Sequence, residues 1–358
     1  ALKGNFQVHP AAIEVGVERV TPVVRVMSED DNMTVIPWTN ADHFTCNEKF
    51  QGEFEVTLEI PAGGPYRIDT SLETKSTVPD LTWLYRGDCV LHLGVGNLFI
   101  IAGQSNSAGY SRDFCIDPPS MDVHLYRNRS KWDIASHPMN ESTFAGSLAN
   151  EEMGVPGVSP YLAFGKTYGK MTGMPVGLIQ TSLGGSPMER WNPKDGDLYL
   201  NMVDKIHETG GRYAGVLWYQ GCSDTNPGPA EKYLEHFREY VEATRKELGY
   251  EIPFFTMQLN RQINGINDEC WGMVRDAQAR AAKEIPGVSV LTTSNLSLCD
   301  GIHNTAQANV ALGEKLAKQC AHVLNGKEEY QPPELVKVER ADEAERKSFQ
   351  LEGSGIWL

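Results

Sequence analysis

The chain has 358 residues, of which 41% are apolar, and a formal net charge of −15. That length suits two or three domains with a sizeable core. The acidic balance excludes nucleic acid or an anionic membrane as the main partner, since either calls for basic patches, and no apolar run approaches the length needed to cross a bilayer.

What remains is a soluble protein with a neutral or small substrate. Its seven cysteines are Cys46, Cys89, Cys115, Cys222, Cys270, Cys299 and Cys320. None sits in a Cys-x-x-Cys pair, and no His, Asp, Glu or Cys cluster has metal-ligand spacing, so neither metal nor cofactor is expected. An odd count rules out a complete disulfide framework within the chain. Scattered thiols, and the lack of a basic segment followed by an apolar one at the start, point to the cytoplasm. A secreted form whose leader has been removed is the alternative.

Residues 1–95 read as all-β. Val, Ile and Thr crowd residues 15–26, and Phe54-Glu-Val-Thr-Leu-Glu-Ile60 alternates as a half-buried strand does. Pro61-Ala-Gly-Gly-Pro65 is a turn signal, with Tyr66-Arg-Ile68 as the returning strand. An N-terminal β-sandwich of accessory function fits.

The texture changes at residue 97. In Asn97-Leu-Phe-Ile-Ile-Ala-Gly-Gln-Ser-Asn-Ser-Ala-Gly109, residues 98–102 form an apolar run that predicts a buried strand ending at Gly103. A long polar stretch, 110–158, follows, with one strand at Val123-His-Leu-Tyr126; loops of this length usually carry function. Ser159-Pro160 opens a helix to about residue 170. Strands are expected at 175–182, 214–219, 253–259 and 288–292. Helices are expected at 197–208, 229–248, 271–284 and 305–323, the last with Val310, Leu316, Cys320 and Val323 facing inward. Strands alternating with helices predict an α/β domain with a doubly wound, mostly parallel sheet. The predicted domains are therefore 1–95 and 96–328, with a tail at 329–358. Val336-Lys-Val338 and Phe349-Gln-Leu351 of the tail are expected as strands that return to the β-domain.

In a parallel sheet the carboxyl ends of all strands lie at one edge, so residues far apart in sequence converge there. The first strand ends in Gly-Gln-Ser105-Asn106, the second in Leu183-Gly-Gly-Ser186 and the third in Gln220-Gly221; the fifth leads into Asp300-Gly-Ile-His303. Each piece alone fits an ordinary turn or cap. Together they are the parts of an acyl-transfer site. Ser105 can be the nucleophile, His303 its general base, and Asp300 the group that holds the imidazole. The N–H of Ser105, the N–H of Gly185 and the side-chain amide of Gln220 are candidate oxyanion donors. Gly103 to Gly109 lacks the Lys and the spacing of a phosphate loop. His137, in the long stretch, is a lesser candidate for lining a pocket.

The blocks Gly103-Gln-Ser-Asn-Ser-Ala-Gly109, Gly184-Gly-Ser-Pro187 with Trp191, Trp218-Tyr-Gln-Gly221 and Asp300-Gly-Ile-His303 resemble the SGNH hydrolase superfamily. They are most similar to its carbohydrate acetylesterase branch, including sialate O-acetylesterase-like enzymes. The resemblance covers about residues 97–325, and Ala62-Gly-Gly-Pro-Tyr66 also looks like the β-domain that precedes the catalytic domain in such proteins. It implies a flavodoxin-like hydrolytic domain with a Ser105–His303–Asp300 triad and an oxyanion hole of Ser105, Gly185 and Gln220. Two positions depart from the family pattern: Ser107 stands where relatives often have Met, and Cys222 where they often have Glu.

Trp191, flanked by Arg190 and Asn192-Pro193, reads as an exposed aromatic that could stack on a sugar, with Arg190 bonding hydroxyls or a carboxylate. Trp218 and Trp271 read as core. The expected activity is a serine esterase removing O-acetyl groups from a carbohydrate of xylan, mannan or sialic acid type, with no cofactor. The alternatives are a general short-chain esterase and a catalytically silent glycan-binding protein on the same fold.

Overall fold

The computed structural model describes residues 2–8, 17–29, 35–47, 50–76, 83–326, 334–340 and 347–352. The chain divides into two compact units, Ala1–Gly96 and Asn97–Leu358.

The first unit holds β1 (Leu2–Gln7), β2 (Val17–Ser28), β3 (Val35–Asn40), β4 (His43–Phe44), β5 (Gln51–Val56), β6 (Gly63–Ser76) and β7 (Trp83–Val95). They form two antiparallel sheets, ordered β1-β5-β4 and β3-β2-β6-β7. Residues from both meet in two apolar clusters, one around Phe6, Val8 and Val20 and one around Val24, Val26, Val56 and Ile68. The hairpin expected across residues 54–68 does not form, because β5 and β6 belong to different sheets. Leu58 and Ile60 instead pack on the second cluster as the chain passes between them. Residues 15 and 16 of the expected first strand lie outside the described residues.

The second unit is built on β8 (Asn97–Gly103), the short helix α1 (Ser105–Ala108), β9 (Val123–Arg127), β10 (Lys131–Ile134), α2 (Tyr161–Thr172) and β11 (Val176–Gln180). It continues through α3 (Asp197–Thr209), β12 (Tyr213–Tyr219), α4 (Pro229–Leu248), β13 (Phe254–Met257), α5 (Asp268–Glu284), β14 (Val288–Leu291) and α6 (Ala306–Asn325). Its sheet has seven strands in the order β10-β9-β11-β8-β12-β13-β14. All neighbours are parallel except β10, which pairs antiparallel with β9. The sheet is therefore mixed. Its run β11-β8-β12-β13-β14 has the 2-1-3-4-5 order of a flavodoxin-like sheet. The β9–β10 hairpin, from the long 110–158 stretch, extends it beyond β11.

Period-2 alternation divides the core between the two faces. Phe99 and Ile101 of β8 join Leu125, Leu178, Leu217 and Phe255 under α2 and α6. Ile100 and Ala102 join Ile179, Val216, Trp218 and Phe254 under α3, α4 and α5. Strands buried on both faces read as unbroken apolar runs, as 98–102 did. In α6 the inward face carries Leu312, Leu316 and Cys320, while Val323 is exposed. β15 (Glu334–Arg340) and β16 (Lys347–Glu352) pair with each other as a two-stranded sheet of their own. Pro332-Pro333 lies outside the described residues.

Several charged side chains are enclosed in this frame, and Lys205 is the most buried of them. Lys205 on α3 is buried, donating to Asn128 Oδ1 at 3.0 Å and to the Gln180 carbonyl at 2.6 Å. Burial pushes its ammonium down to about 7, with Glu208 pulling the other way. Between about pH 7 and its ordinary 10.5 the unfolded chain holds a proton there that the folded chain lacks. Stability therefore rises with pH across that window and is lowest, and level, below it. Urea midpoints of wild type and Lys205→Met should diverge between pH 7 and 10, wild type gaining; a constant difference would refute the buried neutral amine.

Candidate active site

Ser105 is the first residue of α1, directly beyond the carboxyl end of β8, and is 5% exposed. His303 Nε2 lies 2.9 Å from its Oγ, and His303 Nδ1 lies 2.6 Å from Asp300 Oδ2. The other Asp300 oxygen accepts the N–H groups of Ile302 (2.8 Å) and His303 (2.7 Å). Partial burial works to raise the Asp300 pKa, but these N–H groups and the imidazole outweigh it, leaving the carboxyl below its ordinary value. Asp300 is thus ionised wherever His303 can act as a base, and its position fixes Nδ1 as the protonated nitrogen.

Asn106, missed in the sequence, ties the two halves together. Its Nδ2 donates to the Ile302 carbonyl (3.1 Å), and its Oδ1 accepts from the Asn304 N–H (3.1 Å). Asn304 in turn bonds Tyr219, Asn260 and Asn309. The Gly-Gln-Ser-Asn and Asp-Gly-Ile-His-Asn segments both contained the signal, since buried Asn side chains at loop junctions satisfy backbone groups.

Among the described residues, neither the N–H of Ser105 nor that of Gly185 has an acceptor within the chain. The first is an unpaired donor of a helical first turn. The second follows from the backbone: Gly185 has φ +68 and open space where a Cβ would stand. Gln220 does not join them. It is fully buried, and its Nε2 donates both to the Ser186 carbonyl (3.0 Å) and to Asp224 Oδ2 (2.5 Å). With both hydrogens committed, it braces the wall between β11 and β12 rather than facing an oxyanion. Burial raises the pKa of Asp224, which also accepts the Met188 N–H at 3.1 Å.

The expected sugar-binding pair is also corrected. Trp191 is fully buried, meets Trp218 edge-on at 5.2 Å and donates to Ser186 Oγ at 3.2 Å. Its polar neighbours in sequence hid an inward side chain, because a short 3₁₀ turn at Met188–Trp191 rotates it into the core. Arg190 is occupied by Asp197 (2.9 and 2.6 Å) and by the Ala149 carbonyl (2.8 Å). His137 is held between Asp117 (2.9 Å) and the Ser159 N–H (3.4 Å). Trp218 and Trp271 are core residues, as expected. Among the described residues, no group of three His, Cys, Asp or Glu side chains could hold a metal ion, and no helix is long and apolar enough to cross a membrane.

A family profile described as carbohydrate esterase, sialic acid-specific acetylesterase matches residues 95–322, more than half of the chain. The chain belongs to that family. This sialic acid-specific acetylesterase family member is accordingly a carboxylic ester hydrolase. A protein of Arabidopsis thaliana described as a probable carbohydrate esterase is 26% identical over 245 residues, 62% of this chain and 88% of that one. Its X-ray structure superposes with a TM-score of 0.56 at 25% identity, covering 64% of this chain and 99% of that one. A carbohydrate acetylesterase from Xanthomonas citri shares the fold at TM-score 0.56 and 19% identity, over 94% of this chain and 74% of that one. The structure of NanS shares it at TM-score 0.54 and 11% identity, over 64% and 98%.

The departures from the acetylesterase family pattern have local explanations. Ser107 is buried and bonds the Ala102 carbonyl (3.1 Å) and Tyr161 Oη (2.6 Å), so its hydroxyl is satisfied. The Cys222 thiol is pushed up to about 12 by burial, with Asp224 and Asp300 adding to the effect, which leaves it an inert packed group. The position of Trp191 gives a test. Trp191→Ala should cost about 3–5 kcal/mol in denaturant unfolding. Trp191→Phe should leave the KM for a glycan ester within about twofold, and a much larger rise would return Trp191 to the substrate.

Proposed function

We propose that this family member is a serine esterase that removes O-acetyl groups from a carbohydrate through an acetyl-enzyme. The observation that carries the reading is the continuous chain from Asp300 through His303 to Ser105, at 2.6 and 2.9 Å.

Ser105 Oγ attacks the acetyl carbonyl carbon while its proton passes to His303 Nε2. The carbonyl oxygen becomes an oxyanion facing the N–H groups of Ser105 and Gly185, donors already in place before charge develops. Asp300 holds the imidazolium through Nδ1–H. The tetrahedral species collapses, the sugar oxygen leaves with the proton from Nε2, and the acetyl group remains on Oγ as an ester. Water then gives a proton to His303 as its oxygen attacks the acetyl carbon. Collapse returns the proton to Oγ and frees acetic acid. No other reactant is required.

The family description and the Arabidopsis relative support a glycan ester as substrate, and acetylated xylan, mannan and sialic acid are the candidates. We read residues 96–328 as the hydrolytic domain, since every group in the mechanism lies there, and 1–95 as accessory.

The test is acetate release from those three substrates, wild type beside Ser105→Ala and Asp300→Ala. Release from a glycan, abolished in the first variant and lowered about 10²–10⁴-fold in the second, is the expected result. Equal release by Ser105→Ala would remove Ser105 from the reaction. Turnover of a simple aryl acetate with no release from any glycan would make the enzyme a general short-chain esterase.

A further inference from the structure

Two carboxylates of the long 110–158 stretch come close to the site: Asp113 accepts the Ala306 N–H at the start of α6, and Glu152 lies beside Tyr110 and Gly184. Four donors converge on the Glu152 carboxylate. Oε1 accepts from Tyr110 Oη at 2.5 Å and from the Gly154 N–H at 3.2 Å. Oε2 accepts from the Gly184 N–H at 2.9 Å and from Asn140 Nδ2 at 3.0 Å. No cation pairs with it among the described residues. A half-buried carboxylate with four directed donors and no counter-ion holds a geometry rather than a charge balance.

Both ends of that geometry lead to the reacting atoms. The Tyr110 ring is stacked on the His303 imidazole, centroids 5.4 Å apart and 26° from parallel. Its hydroxyl fits a notch between two glycines, where a Cβ on Gly154 or Gly184 would lie 2.2 or 2.5 Å from it. Burial, then the hydrogen bond and charge of Glu152, raise the Tyr110 pKa, so the phenol stays protonated and donating. On the other side, Gly184 precedes Gly185, whose N–H is the second oxyanion donor. Glycine at 184 adds backbone freedom just before that donor, and Glu152 limits it by holding the N–H of the preceding Leu183–Gly184 peptide.

Glu152 is itself held from below by a buried polar chain. Asn128 Nδ2 donates to Asn140 Oδ1 at 2.8 Å, and Lys205 Nζ donates to Asn128 Oδ1 at 3.0 Å. Asn150 adds a bond to the same oxygen at 2.7 Å, and the Glu152 N–H reaches Ser142 Oγ at 2.9 Å. Asn128, Asn140 and Asn150 are fully buried. Burying amides is costly unless their bonds are made; both polar atoms of Asn128 and Asn140 are bonded, Asn150 Oδ1 alone of the three side chains' polar atoms is not, and the chain ends on one carboxylate.

We propose that Glu152 is a positioning residue for acyl transfer, fixing the Gly184–Gly185 donor on one side and the Tyr110–His303 stack on the other. This rests on the reading of Ser105 and His303 as the reacting pair. It assigns the long stretch a part in the chemistry without contact to substrate.

The test uses the full chain and an aryl acetate, with kcat expressed per serine titrated by a fluorophosphonate, so that misfolded molecules do not count. Glu152→Ala should lower kcat per titrated site by about 30–300-fold with KM within about threefold. Glu152→Gln should recover most of it, since its carbonyl can face Gly184 and Asn140 while Tyr110 turns acceptor. Wild-type kcat per titrated site in Glu152→Ala, whatever its melting temperature, would overturn the proposal, as would equal loss in both variants. If Glu152→Ala does not accumulate, Tyr110→Phe cuts the same bond from the other end. It should lower kcat per site by about 3–10-fold, and unchanged turnover would overturn the proposal. Ser105→Ala runs beside them: turnover there sinks the reading of the site itself, separately from Glu152.

Discussion

Strand β8 is confined on every side, and the site depends on that confinement. β11 and β12 pair with its two edges, and Phe99, Ile100, Ile101 and Ala102 are fully buried in the cores of the two faces. A slip by one residue would exchange the faces of all four side chains, so the register has one solution. That solution sets Ser105 beside the ends of the two neighbouring strands. The chain reaches β11 on one side and crosses to β12 on the other, so their following loops open a crevice at the end of β8.

Around that fixed point, backbone groups do most of the orienting. Asp300 has a half-exposed side chain, yet two N–H groups of its own loop hold one oxygen and direct the other at the imidazole. The loop is closed by Cys299 N–H to the His303 carbonyl at 2.9 Å and fastened to α1 by Asn106. Such short local bonds keep an exposed acid in place where burial would have raised its pKa and weakened it as an anion.

The elements that carry the site were legible because their physics is local. Short apolar-rich runs gave β8 and β11–β14, and Pro229 marked the start of α4. The convergence of Ser105 with Asp300 and His303 then follows from the parallel topology, which gathers strand ends at one edge. What stayed hidden depends on tertiary partners. Trp191 looked exposed because its neighbours are polar, and only a 3₁₀ turn sends it inward. Gln220 looked like a free donor because nothing in the sequence pairs it with Ser186 and Asp224. β10 is a short strand of mixed composition, Lys-Trp-Asp-Ile, that exists through its pairing with β9. Glu152 lies in a stretch without periodicity, and its place in the site appears only once four donors, three of them from other segments, are seen on its oxygens.

The bond between His303 and Ser105 spans 198 positions of the chain. Synthesis is vectorial, and domains fold as units when their segments become available. A growing chain exposes the Ser105 hydroxyl long before the segment bearing its base exists. Until then that hydroxyl is an ordinary alcohol, with no group nearby to accept its proton. On the proposed reading of Ser105 as nucleophile, reactivity toward esters begins only with docking of the loop ahead of α6. The order of residues along the chain thus makes the Ser105–His303 bond a late event, formed only once about 200 residues beyond Ser105 are in place.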